Sequence, residues 1–200
     1  MTPSVLLIFA TRYDDVTRRT YGIAQRLLAD AKQASVVTVT LFDADATCDG
    51  FLQAATQNRP IVIAFYSHGN DEGAILTQDR EPCWSSRTVP DFSGIALFAH
   101  TCRGIRWLRD QASRHKARLL VGYENDLLTP RNGSPRFWNI YEELHSFVPQ
   151  QLATKADGAQ VRRQFYDLCT KRFYELNSDQ TPLMEMVAIM QSRDWIVFVG

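Results

Sequence analysis

Two segments of the sequence run apolar and then stop on residues able to do chemistry. "IVIAFYSHGN" (61–70) ends on Ser67, His68 and Gly69, and "IALFAHTCRG" (95–104) ends on Cys102. An imidazole exchanges protons near neutral pH, and a cysteine is a strong nucleophile once it is a thiolate. Gly69 has no side chain, so its backbone N–H can approach a reacting carbonyl closely. With the N–H of Cys102 it would hold the oxyanion of a tetrahedral intermediate. If the two segment ends meet, the chemistry they suit is acyl transfer, with Cys102 attacking and His68 moving the proton. Taken singly, a strand-end cysteine is an ordinary small residue and His-Gly an ordinary turn; the reading rests on the pairing.

For the pairing to occur, both segments must be strands in one sheet. Val5–Ala10, 61–67 and 94–101 are short apolar runs suited to strands buried on both faces. The β-branched "SVVTVTLFD" and the run "RLLVGYE" add two more. Between them, "TYGIAQRLLADAKQ" places Ile23, Leu27, Leu28 and Ala31 on one helical stripe. Asp45 or Thr47 is positioned to cap a short helix through Phe51, Leu52 and Ala55 that ends near Asn58 and Pro60. "IRWLRDQASRHKA" is the helix expected after Cys102, its N-terminus favouring an anion there and its basic end, with His115, answering the dipole. This alternation predicts an α/β fold, a mostly parallel sheet with helices on both faces. Residues 73–77 read as a short strand or hairpin arm, and 78–94 as a loop in which Cys83 is open to exposure.

The second half reads as three helices, "SPRFWNIYEELHSFV", "GAQVRRQFYDLCTKRFYEL" and "TPLMEMVAIMQS", and the closing "DWIVFVG" as a strand of the main sheet. Cys169 falls on the apolar face of its helix, His145 has no evident partner, and Trp84, Trp107, Trp138 and Trp195 read as anchors rather than stacking platforms. One domain is expected over residues 1–200.

In such a sheet, ligands bind beyond the carboxyl ends of the strands. His68 and Cys102 both lie just past such an end, 34 positions apart, which leaves room for a hairpin or loop and a return strand. On adjacent strands their tips would stand about 5 Å apart. His100 shares the Cys102 face by strand alternation and is a second candidate base. It ranks behind His68 because it lies within the strand.

Lys plus Arg and Asp plus Glu number 22 each, so the net charge of zero gives no electrostatic reason for direct nucleic-acid or membrane binding. No targeting segment is expected in "MTPSVLLIFATRYDD", and no run is long enough for a membrane span. Cys48, Cys83, Cys102 and Cys169 form no C-x-x-C pair and read as free thiols in a reducing cytoplasm. No zinc-spaced ligand set exists, so neither metal nor cofactor is expected. The turn "ATRYDDVTRR" has no glycine, which argues against a nucleotide-binding loop.

"YSHG" (66–69) resembles the histidine block of the caspase-like cysteine peptidases, and "AHTCRG" (99–104) resembles their cysteine block. "DWIVFVG", with Trp195, Phe198 and Gly200, is similar to the closing strand of the CHAT subgroup. The resemblance covers the order of elements from Val5 to Glu124 and the last strand; the stretch from Pro135 to Gln191 matches nothing in it. It implies a caspase-like α/β/α sandwich and a cytoplasmic endopeptidase acting on a protein or peptide substrate. In that reading Cys102 is the nucleophile, His68 the general acid/base, and Gly69 and Cys102 the oxyanion donors. CHAT-type members are commonly bacterial effectors held silent until a sensor or regulatory protein partner activates them. His100 stands where caspases carry glutamine, so the acidic preference of caspases does not transfer. Arg12, Asp14, Asp15, Arg18 and Arg19, after the first strand, are candidates to contact substrate alongside His100. The same five residues also suit a solvated loop and helix start, and the mixed signs leave the preference open. A catalytically silent scaffold with the same fold is the alternative reading.

Overall fold

The computed structural model describes residues 4–70, 73–83, 91–112, 116–154, 156–177 and 180–200. Six strands form one sheet: β1 (Val5–Ala10), β2 (Val37–Phe42), β3 (Val62–Tyr66), β4 (Ala96–His100), β5 (Leu119–Tyr123) and β6 (Ile196–Val199). Their spatial order is β2-β1-β3-β4-β5-β6. The first five are parallel, and β6 closes the edge antiparallel to β5. The described α-helices are α1 (Asp15–Gln33), α2 (Cys48–Asn58), α3 (Gly104–Ala112), α4 (Pro135–Ala153), α5 (Gly158–Leu176) and α6 (Leu183–Asp194).

The central strands are covered on both sides because their sequences are apolar at every position. All five residues of β3 and all five of β4 are buried. Alternation sends Val62, Ala64, Tyr66, Ala96 and Phe98 into a core shared with α1, α4, α5 and α6. Ile63, Phe65, Leu97 and Ala99 face a second core built with α2 and α3. The α/β/α sandwich with a mostly parallel sheet is thus the fold adopted.

Local signals set the helix ends. Asp14 caps α1 through a reciprocal box with Thr17, and Ile23, Leu27 and Ala31 form the buried stripe of that helix. Thr47, not Asp45, caps α2, accepting the Gly50 N–H at 3.1 Å. That helix stops at Arg59, which adopts a left-handed conformation before Pro60.

One element runs past its sequence signal. Proline lacks the N–H that would bond four residues back and normally stops a helix there, yet α4 continues beyond Pro149 to Ala153. The carbonyl deprived by Pro149 belongs to His145, and the Tyr66 hydroxyl at the end of β3 donates to it at 2.9 Å. A donor from the sheet replaces the missing helix donor. At the other end of α4, the buried Glu185 of α6 accepts from the Ser134 N–H at 2.5 Å and from its hydroxyl at 3.0 Å.

Residues 73–77 form the hairpin arm: Ile75 is bridged to Gly69 and Leu76 to Pro82, both antiparallel. Cys83 is not exposed as the loop reading allowed; it is fully buried in the α2/α3 core. Its N–H donates to the Ile75 carbonyl at 2.7 Å, which draws Cys83 onto that face. The expectations for Trp84 and His115 lie outside the described residues. Among the described residues no helix is long and apolar enough to cross a membrane.

Candidate active site

The register of β3 against β4 pairs Tyr66 with His100. Continued two residues past each strand, it sets His68 opposite Cys102. The backbones meet there: a Cβ built on Gly69 would stand 2.2 Å from the Cys102 carbonyl oxygen. No side chain fits that contact, which is the physical reason for glycine at 69. Gly73 has a φ of +81°, and a Cβ there would meet the Arg103 carbonyl at 2.5 Å. The hairpin arm therefore wraps the Cys102–Arg103 turn closely, with two glycines at the points of nearest approach.

The arm also orients Gly69. Its bonds to the arm run from the Leu76 N–H to the His68 carbonyl and from the Asn70 N–H to the Ala74 carbonyl, each 3.1 Å. In this antiparallel pattern the N–H and C=O of Gly69 itself point away from the arm. The rim is fastened further by Ser67, whose hydroxyl donates to the Leu76 carbonyl at 2.5 Å and accepts from Thr11 at 3.0 Å.

His68 and Cys102 line one cavity of about 20 Å³, together with Ser67, His100 and Thr101 of the sheet, Val16 and Thr20 of α1, and Leu127 and Thr129 of the β5–α4 segment. That volume holds about one water. The covering segment is tied at two places. Arg103 bonds Asp126 at 2.7 Å while its N–H donates to the Asn125 carbonyl at 3.2 Å. Arg19 donates to the carbonyls of Pro130 and Arg131 and lies over the Trp138 ring, 5.0 Å from its centroid.

His68 has a carboxylate partner that the sequence reading cast differently. Its Nε2 is 2.9 Å from Asp14 Oδ2. The Tyr13 ring lies beside the imidazole, 5.8 Å between centroids, and Arg80 lies over the other ring of that pair, Tyr13, at 5.0 Å. Burial works to raise the Asp14 carboxyl pKa. The hydrogen bonds from the Thr17 N–H and hydroxyl, with the charge and hydrogen bond of His68, outweigh it and hold the group below the usual carboxylate range.

Cys102 departs from the expectation that the start of α3 would favour a thiolate. Burial pushes its thiol pKa up, and the Asp126 charge adds to the rise. A hydrogen bond from the Leu127 backbone and the charge of Arg103 offset only part of this. With the segment closed, the sulfur is a neutral thiol at neutral pH.

The other candidates after β1 scatter. Arg12 lies over the Tyr21 ring at 5.2 Å and does not line the cavity. Asp15 and Arg18 pair with each other at 3.1 Å in solvent. Arg19 is spent on the covering segment. Asp14 reaches the site, but through His68.

His100 reaches the cavity from below and belongs to a polar cluster the sequence reading missed. It is 1% exposed, its ring 4.3 Å from that of His145 and 5.8 Å from those of Tyr123 and Tyr141. Burial pushes its pKa down to about 3 and, with the nearby His100, pushes that of His145 well down. Both rings are neutral at pH 7, so His100 offers no charge to a substrate. His145 is far from partnerless. Its Nε2 contacts the Ser192 hydroxyl at 3.1 Å and its Nδ1 the Tyr123 hydroxyl at 2.8 Å. Ser192 donates to the Ala188 carbonyl at 2.8 Å, so it accepts from Nε2–H, and Nδ1 accepts from Tyr123. The sequence showed no partner because the partners come from β5 and α6, which no local pattern links to α4.

No family model matches the sequence. Thyroglobulin of Sus scrofa is 24% identical to it over 147 residues, a match spanning 71% of this chain and 5% of that protein's length.

Proposed function

We propose that this chain is a caspase-like cysteine endopeptidase of CHAT type, cleaving a protein or peptide substrate through Cys102 and His68. The observation that carries the reading is the contact of Gly69 with the Cys102 backbone, which brings an imidazole and a thiol to one cavity at the carboxyl end of the sheet. The proton of Cys102 passes to His68 as the sulfur attacks the scissile carbonyl carbon. The negative oxygen is held by the N–H groups of Gly69 and Cys102. The leaving amine takes the proton from His68 as the C–N bond breaks, and water then hydrolyses the thioester with His68 as base.

The closed cavity and raised thiol pKa support a resting state that a regulatory protein partner opens. The four free thiols suit a cytoplasmic setting. The same closure supports a second reading, a caspase-like scaffold whose dyad never turns over. An electrophilic peptide probe separates the two. The peptidase reading expects labelling at Cys102, alone or with the partner, and its loss in His68→Ala; absence of labelling under both conditions overturns it.

A further inference from the structure

We infer that Asp14 is the positioning residue of the His68–Cys102 couple, its carboxylate fixing the imidazole in the tautomer that carries its proton on Nε2 and leaves Nδ1 as the proton acceptor. The inference deepens the peptidase reading and rests on it for the reaction served. An ionised carboxylate only accepts hydrogen bonds, so the 2.9 Å contact between Oδ2 and Nε2 requires the proton on Nε2. The only nitrogen left to take the thiol proton is Nδ1.

Asp14 is unusually well placed to hold that orientation. Its Oδ1 accepts both the Thr17 N–H at 2.8 Å and the Thr17 hydroxyl at 2.9 Å. Its own N–H is bonded to Thr17 Oγ1 at 2.9 Å. With one oxygen saturated by the helix cap, the other cannot swing away from His68 without breaking the first turn of α1. The 19 residues of α1 are anchored in turn by their buried stripe against the sheet. A side chain thus serves two tasks, capping a helix and orienting a base, and the first makes the second rigid. When Nδ1 takes a proton, the imidazolium forms against a carboxylate already in place, with no rearrangement required.

The test separates orientation from capping. Asp14→Ser retains a capping hydroxyl that is too short to reach His68; Asp14→Asn retains the cap and the shape but loses the charge; Asp15→Asn removes a neighbouring charge without touching His68. Long-range proton–nitrogen NMR correlations report the His68 tautomer directly, and iodoacetamide alkylation reports the reactivity of Cys102. The native chain is expected to show Nε2–H alone. Asp14→Ser is expected to melt within a few degrees of it, to show a mixture of tautomers, and to alkylate roughly 10-fold to 100-fold more slowly at neutral pH, part of the general acid–base contribution. Asp14→Asn falls between, and Asp15→Asn matches the native chain. An Nδ1–H tautomer in the native chain, or an unchanged tautomer and rate in Asp14→Ser, overturns the inference. Since neither readout needs peptide cleavage, a chain that cleaves nothing but shows these shifts fails the peptidase reading alone.

Discussion

His68 and His100 stand on neighbouring strands, two residues apart in register, and their surroundings make them opposites. His68 lies just past its strand, with a carboxylate on one nitrogen and its side chain 29% exposed. His100 is the last residue of β4 and lies under the rim, among Tyr66, Tyr123, Tyr141 and His145, with no carboxylate bonded to it among the described residues. Its Nδ1 has no hydrogen-bond partner among the described residues. The difference shows how sharply two positions of register change the chemistry. A carboxylate reaches the histidine at the rim, whereas the one buried among aromatic rings must stay neutral because burial penalises the cation. The rim joins an imidazole to a carboxylate, and the cluster beneath it links β3, β5, α4 and α6.

Acid sharpens the contrast most. The folded pKa of His100, about 3, and that of His145 lie below the unfolded value of 6.5. The unfolded chain therefore binds protons first as pH drops. The stability tied to these rings is complete above pH 6.5 and is lost progressively below it. His100 contributes a slope of up to about 1.4 kcal/mol per pH unit, so denaturant titrations at pH 7 and pH 5 should differ by roughly 2 kcal/mol on its account, with His145 adding in the same direction. An His145→Phe variant should lose part of that slope. A pH-independent midpoint over this range would break the comparison.

A smaller effect is expected at Tyr66. Replacing it with phenylalanine leaves the His145 carbonyl without the donor that substitutes for Pro149, and an unsatisfied buried acceptor costs about 1–3 kcal/mol. Thermal melting should fall accordingly, while Cys102 alkylation stays near native. A loss of alkylation without a loss of stability would show that rim and interior are coupled, contrary to the contrast drawn here.

The smallest change in stability is expected at the rim itself. Arg103 and Asp126 are partly exposed, and such pairs contribute about 0–1 kcal/mol. Asp126→Asn nonetheless removes a charge that raises the Cys102 thiol pKa and loosens the segment over it. Iodoacetamide should react a few-fold faster at pH 7.5 with an unchanged melting temperature. Unaltered alkylation would mean that the segment does not limit access.

Much of the fold was legible because it follows from local pattern. The apolar runs 61–67 and 94–101 announced two-face burial, and β3 and β4 fall inside them. The cap at Thr47 was one of the two short polar side chains the sequence offered before the α2 stripe. Cys83 was misread because composition describes a segment's average, while a backbone bond to Ile75 holds this one residue inward. The helix read as ending at Val148 stopped short for a similar reason: the donor that carries α4 past Pro149 is Tyr66, 79 residues from the His145 carbonyl it satisfies. At the site, the types and order of His68, Gly69 and Cys102 were readable. Asp14 was noticed among five charged residues, but nothing in "ATRYDDVTRR" distinguishes a carboxylate that contacts substrate from one that contacts His68.

Sequence alone determined the strands, the helices, the two cores they share and the presence of a thiol and an imidazole at strand ends, since each depends on side-chain period, capping and residue type within a few positions. Only the tertiary structure decided which histidine meets solvent, which is locked in a neutral cluster, which acid holds the rim imidazole, and how tightly the β5–α4 segment closes over the sulfur. Those outcomes depend on distances between residues remote in the chain, and burial and Coulomb energies change steeply over the few ångströms involved.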